Sequence, residues 1–191
     1  ALRFSVETII GEAGAYAAHC DRMPEADPVL RSMVMQGTHA ALSSVRRDER
    51  GRFDGLAAGL HYSAPARTYY RDGYWTLQLL LEVAPAIVHE EIEMLASGVQ
   101  PDGEAPSGVI VSGPEQARAW EYLRTTAFGM DWIHTRSIDW WSDHFDSPLF
   151  FILAIGDYVR VTGDTEPAER HWPLVKAIFA RYRAFTETHL P

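Results

Sequence analysis

Apolar residues recur at helical spacing along most of the chain, and the recurrences are punctuated by good helix-start and helix-stop residues. Residues 6–20 are apolar and Ala-rich, interrupted by Gly11 and Gly14, and read as a helix. Asp27-Pro28 is a cap followed by proline at the first helical position. From there Val29, Leu30, Met33, Val34, Ala40, Ala41 and Val45 continue at helical spacing, with a stop expected over residues 48–51. A short helix is expected over residues 74–82. A second opens at Pro85 and runs through Ile87, Val88, Ile92, Met94 and Leu95 to Gly98. Further helices are expected over residues 114–123, over 149–162 behind Ser147-Pro148 and ending at Gly163, and from Thr165-Glu166-Pro167 to about residue 189. No alternating pattern of the strand kind persists, so the fold class predicted is all-α, built from helical hairpins.

Between these helices lie three long connections, over residues 51–73, 100–113 and 129–146. Connections of that length inside a compact unit are usually functional or disordered, and the aromatic content of the first and third argues against disorder. The first ends in Thr68-Tyr69-Tyr70-Arg71-Asp72-Gly73-Tyr74-Trp75-Thr76, where a carboxylate meets the start of a helix. Its bland reading is that Asp72 caps the helix, with Arg71 as its surface partner. The third carries Asp139-Trp140-Trp141-Ser142-Asp143-His144-Phe145-Asp146 just before Ser147-Pro148, and capping by Asp146 or Ser147 is again the alternative. Pro101-Asp102-Gly103 predicts a tight turn, with Glu104 a candidate to point into a cleft.

Composition narrows the partners. A net charge of -9 without a basic run disfavours nucleic acid and anionic membrane surfaces. No apolar run reaches the length of a membrane span. The single cysteine, Cys20, has no partner for an intramolecular disulfide, which suits a reducing, cytoplasmic setting. Six Trp and eight Tyr fit either an aromatic core or recognition of sugar rings, whose apolar faces stack on aromatic side chains. His89 followed by Glu90 suggests a zinc-protease helix, but Glu93 stands where that motif needs its second histidine. The spacing of Asp139, Asp143, His144 and Asp146 fits no established ligand pattern. No cofactor and no metal are expected.

Taken in order, these segments resemble the six-hairpin glycosidases, the (α/α)6-barrel enzymes that include glucoamylase-like, trehalase-like and glycogen-debranching-type hydrolases. The stretch from Thr68 to Thr76 looks like the family's Arg-Asp-aromatic-Trp segment, and Gln100 to Ile110 looks like the loop that follows it. Phe145-Asp146-Ser147-Pro148-Leu149-Phe150, leading to Thr162-Gly163-Asp164, looks like its aromatic helix ending in Thr-Gly-Asp. The resemblance, spanning roughly residues 30–190, implies that residues 1–191 are the first half of such a barrel. The rest of the barrel, or a self-association partner, would complete it. It implies an inverting hydrolase acting on an α-glucoside-like oligosaccharide. Tyr70, Arg71, Asp72, Trp75, Trp140, Trp141 and Asp146 would line the substrate cleft, and the acid–base pair would lie beyond Pro191. Two alternatives stand beside it. One is a non-catalytic helical carbohydrate-binding or scaffold protein. The other is an (α/α)-barrel lyase or epimerase, for which His61, Tyr62 and His144 are candidate bases.

Overall fold

The computed structural model describes residues 2–22, 27–48, 50–58, 67–110, 138–139 and 145–189; for residues 2–9, 12, 22, 67, 110, 138, 139 and 189 it describes the backbone alone. Among these the chain is mainly helical. Helix α1 spans Leu2–Arg22, α2 Pro28–Ser43, α3 Tyr70–Gln78, α4 Pro85–Ala96, α5 Ser147–Thr162 and α6 Glu166–His189. The helix expected over residues 114–123 lies outside the described residues.

Local chemistry accounts for the helix ends. Asp27 Oδ1 accepts from the backbone N–H of Val29 at 2.7 Å and of Leu30 at 3.4 Å, and Pro28 fills the first helical position. Helix α5 stops at Gly163, whose φ of 74° is the left-handed conformation glycine adopts most freely. Its N–H returns to the Val159 carbonyl at 2.9 Å. Helix α6 begins where Asp164 Oδ1 accepts the Glu166 N–H at 3.0 Å.

Short strands join the helices without changing the mainly-α character of the fold. Val45–Arg47 (β1) and Phe53–Leu56 (β2) form an antiparallel hairpin. Its turn is held by Asp48 Oδ1, which accepts from the N–H groups of Arg50 and Arg52. Val45, expected as the end of α2, belongs to this hairpin. Arg67–Tyr69 (β3), Gly108–Ile110 (β4) and Ile138–Asp139 (β5) form a three-stranded antiparallel sheet in the order β3-β4-β5. Each strand is two to four residues long. That is too short for alternation to show in the sequence, because a period of two needs several repeats to be recognised. A Cβ on Gly108 would meet the Thr68 carbonyl oxygen at 2.6 Å and Tyr69 Cδ1 at 2.9 Å, so only glycine allows β4 this close to β3.

Among the described residues the core is one cluster drawn mainly from α3, α4, α5, α6 and the turn after α3, joined by Ala41 of α2, Leu56 of β2 and Val109 of β4. Leu77, Leu80, Ile92, Leu95, Phe151, Ala154 and Ile178 are completely enclosed in it. Burial of the leucine, isoleucine and phenylalanine side chains among them stabilises by roughly 1.5–3 kcal/mol each. Helices α1 and α2 meet each other more sparsely, through bonds such as that from Tyr16 Oη to the Met35 carbonyl at 3.0 Å. Among the described residues no helix is long and apolar enough to cross a membrane.

Candidate functional site

The three connections singled out by the sequence come together through the β3-β4-β5 sheet. Tyr69 pairs with Gly108, and Gly108 pairs in turn with Asp139. Helix α3 starts at the residue after Tyr69, so the sheet seats its N-terminal turn, and the start of α5 is tied to that turn by the pair Arg71–Asp146.

Arg71 and Asp146 meet there. Arg71 donates from Nε at 2.8 Å and from a terminal nitrogen at 2.5 Å to Asp146 Oδ2, closing a separation of 75 residues. Both remain open to solvent, with side chains 54% and 36% exposed. Asp146 occupies the N-cap position of α5, yet its carboxylate makes no capping bond. Its backbone carbonyl instead accepts from Leu149 at 3.0 Å and Phe150 at 3.1 Å. The capping alternative for the Asp146 side chain is thereby overturned: the carboxylate is turned outward to a guanidinium.

Trp75 follows Arg71 by one helical turn and so shares its face of α3. Its indole is 62% exposed. Edge contacts with Tyr74 at 5.1 Å and Phe150 at 6.3 Å hold it upright. Below it, Tyr74 Oη and Gln78 Nε2 both donate to Asp157 Oδ2 at 2.9 Å, fastening α3 to α5. Burial acts to raise the Asp157 carboxyl, but Arg160, Tyr74 and Gln78 outweigh it and hold the group below the usual carboxylate range.

Asp72 is not the cap of its helix. Tyr69 holds that position, without a side-chain capping bond, and Asp72 lies in the first turn, where a negative charge favours the helix dipole. It is exposed, and among the described residues its carboxylate has no hydrogen-bond partner; its backbone carbonyl accepts from Thr76 Oγ1 at 2.9 Å. Arg71 pairs with Asp146, not with Asp72 as the capping alternative has it. Tyr70 is completely buried, with its hydroxyl donating to the Leu95 carbonyl at 2.6 Å, and is therefore a core residue that cannot wall a cleft. Trp140, Trp141, His61, Tyr62, Asp143 and His144 lie outside the described residues, and only the backbone of Asp139 is described. Glu104, a candidate for the cleft, pairs instead with Arg181 at 3.1 Å, and Asp102 joins the same arginine at 3.0 Å.

Glu91 was not singled out by the sequence reading. It follows Ile87 by four positions and Val88 by three, and so lies on the buried face of α4, where a carboxyl group is anomalous. It is completely buried. Oε1 accepts from Thr68 Oγ1, and Oε2 has no hydrogen-bond partner among the described residues. Burial pushes its carboxyl up to about 7, against the opposing effects of the Thr68 bond and the nearby Arg46 charge. The group couples β3 to α4 directly beside Tyr70, whose phenol is raised well above its ordinary value by burial and by the Glu91 charge.

Comparison of the chain with protein-family models, curated proteins and solved structures finds no match.

Proposed function

We propose that this chain contributes part of the sugar-binding cleft of a glycoside hydrolase of the (α/α)6-barrel type, acting by inversion on an α-glucoside-like oligosaccharide. The reading is supported above all by one observation: an outward-facing guanidinium–carboxylate pair, Arg71–Asp146, stands one helical turn from an exposed, edge-buttressed indole, Trp75. A pyranose presents both hydroxyls and an apolar C–H face. The pair offers two charged partners to the hydroxyls, and the indole offers a platform for the face. Asp72, on the same helical turn as Arg71 and free of side-chain partners among the described residues, adds a further acceptor. In this reading Arg71, Asp72, Trp75 and Asp146 bind and orient the sugar. Trp140 and Trp141 belong to the same proposal through the resemblance. The proton-transfer pair is assigned to no residue here.

The test is hydrolysis of maltooligosaccharides by the full-length protein, with the anomeric form of the released glucose followed by NMR. Release of the β-anomer from an α-linked substrate is expected. Asp146→Asn is expected to lower kcat/KM at least about tenfold, the loss of one hydrogen bond to a charged group. Binding without any turnover would instead support the non-catalytic carbohydrate-binding alternative. Absence of both would refute the proposal.

A further inference from the structure

Glu93, whose presence removes the zinc-protease pattern from α4, belongs to a different grouping. His89 and Glu93 lie one turn apart and so share a face of the helix. Glu166, the first residue of α6, faces them. One ligand atom from each of the three, the imidazole nitrogen and two carboxylate oxygens, all lie within 4.8 Å of one another. We propose that His89, Glu93 and Glu166 form a binding site for a divalent transition-metal ion, zinc by preference, which cross-links α4 to α6.

The spacing suits a small tetrahedral centre. Metal–ligand bonds of about 2.0–2.1 Å place neighbouring ligand atoms about 3.3 Å apart, and His89 Nε2 already stands 3.1 Å from Glu166 Oε2. Without metal these atoms are joined by a hydrogen bond; a metal ion on Nε2 would take the place of that hydrogen, with the neutral imidazole carrying its proton on Nδ1. The outer partners that orient metal ligands are also present. His171 Nε2 lies 2.8 Å from Glu93 Oε1. Arg170 pairs with Glu93 Oε2 at 3.2 Å and with Glu166 Oε1, leaving one oxygen of Glu166 for His89. The Tyr158 ring packs edge-on against the His89 imidazole with centroids 5.9 Å apart. Tyr158 Oη donates to Asp164 Oδ2, and Asp164 fixes the Glu166 backbone through its other oxygen. All three ligands thus stand on or at the ends of packed helices.

One imidazole with two carboxylates selects zinc over magnesium or calcium, which prefer all-oxygen surroundings. The Arg170 charge opposes the cation and limits the affinity. The site shares no residue with the Arg71–Asp146 surface, so it stands or falls independently of the sugar-binding reading.

The experiment is calorimetric titration of the chelator-treated protein with zinc chloride, with metal content measured after gel filtration and melting followed in parallel. One equivalent is expected to bind. The melting temperature is expected to rise by several degrees at about a hundredfold excess over Kd, with no rise from the same concentration of magnesium. His89→Gln keeps a hydrogen-bond donor for Glu166 but removes the imidazole, and is expected to weaken zinc at least about tenfold; Glu166→Gln is the companion variant should that one fail to fold. Arg170→Gln is expected to tighten zinc, because it removes the opposing charge; a purely ionic staple would gain nothing from it. Absence of saturable binding, or binding of equal strength in His89→Gln and Glu166→Gln, would overturn the proposal.

Discussion

Glu91 holds a carboxyl group in the centre of an apolar helix face, with one oxygen bonded to Thr68 and the other unpartnered among the described residues. Its folded-state value of about 7 exceeds the ordinary value of 4.5. A group raised in this way binds its proton more tightly in the native state than in the unfolded one. Its favourable contribution is therefore full at low pH and is lost as the pH rises between those two values. The protein is predicted to lose about 3 kcal/mol of stability from this group between pH 4.5 and pH 8. Glu91→Gln, which cannot ionise, should flatten that slope and melt higher than the parent at pH 8. Denaturant unfolding of both proteins across this range checks it; parallel curves would contradict the protonation argument. At Asp72 the balance runs the other way. It is exposed in a first turn and caps nothing, so Asp72→Asn should change stability by only a few tenths of a kcal/mol. Its effect on sugar affinity should be at least about tenfold. Melting and affinity measured on the same variant separate the two, and a loss of stability with unchanged affinity would contradict the assignment.

Among the elements, the helices starting near residues 28, 85, 147 and 166 are legible because their ends carry local chemistry: Asp27-Pro28, Pro85, Ser147-Pro148 with Gly163, and Thr165-Glu166-Pro167. Helix α3 was placed four residues late. Its true start at Tyr70 has no side-chain cap and follows directly on a strand, so no residue marks the boundary. The short strands left no periodic trace. The Arg71–Asp146 pair, formed across 75 residues, could not be read from local sequence, although both partners had been picked out individually. The resemblance places Tyr70 in the cleft, and only packing shows that its ring lies in the core. The β3-β4-β5 sheet is what joins the separate segments, and Gly108 is its tightest point. Gly108→Ala must push aside the Thr68 carbonyl, a backbone atom that cannot swing away. It is predicted to cost about 1–3 kcal/mol and, by shifting β3, to weaken sugar binding as well. A variant with parental melting and affinity would show that the sheet tolerates more separation than its geometry implies.

At the scale of the whole molecule, the shared core of α3 to α6 is flanked by apolar side chains that stay largely open to solvent. Leu149 and Leu153 on α5, Phe179 on α6, and Leu30 and Met33 on α2 are all between 39% and 65% exposed. Where exposed side chains of this size gather into a patch, they mark a contact with further structure. Residues 1–191 in isolation are therefore predicted to self-associate. Light scattering at rising concentration checks this, and Leu153→Glu with Phe179→Glu should reduce the association while preserving the melt. A monodisperse monomer would contradict it.

The central claim, that Arg71, Trp75 and Asp146 make one sugar-binding surface, is tested most directly by calorimetric titration of maltotriose into the protein and into Trp75→Ala and Asp146→Asn. The account predicts saturable binding to the parent, weakened at least about tenfold in each variant, with melting temperatures within a few degrees of the parent. Binding that is absent from the parent, or that survives both substitutions unchanged, would contradict it.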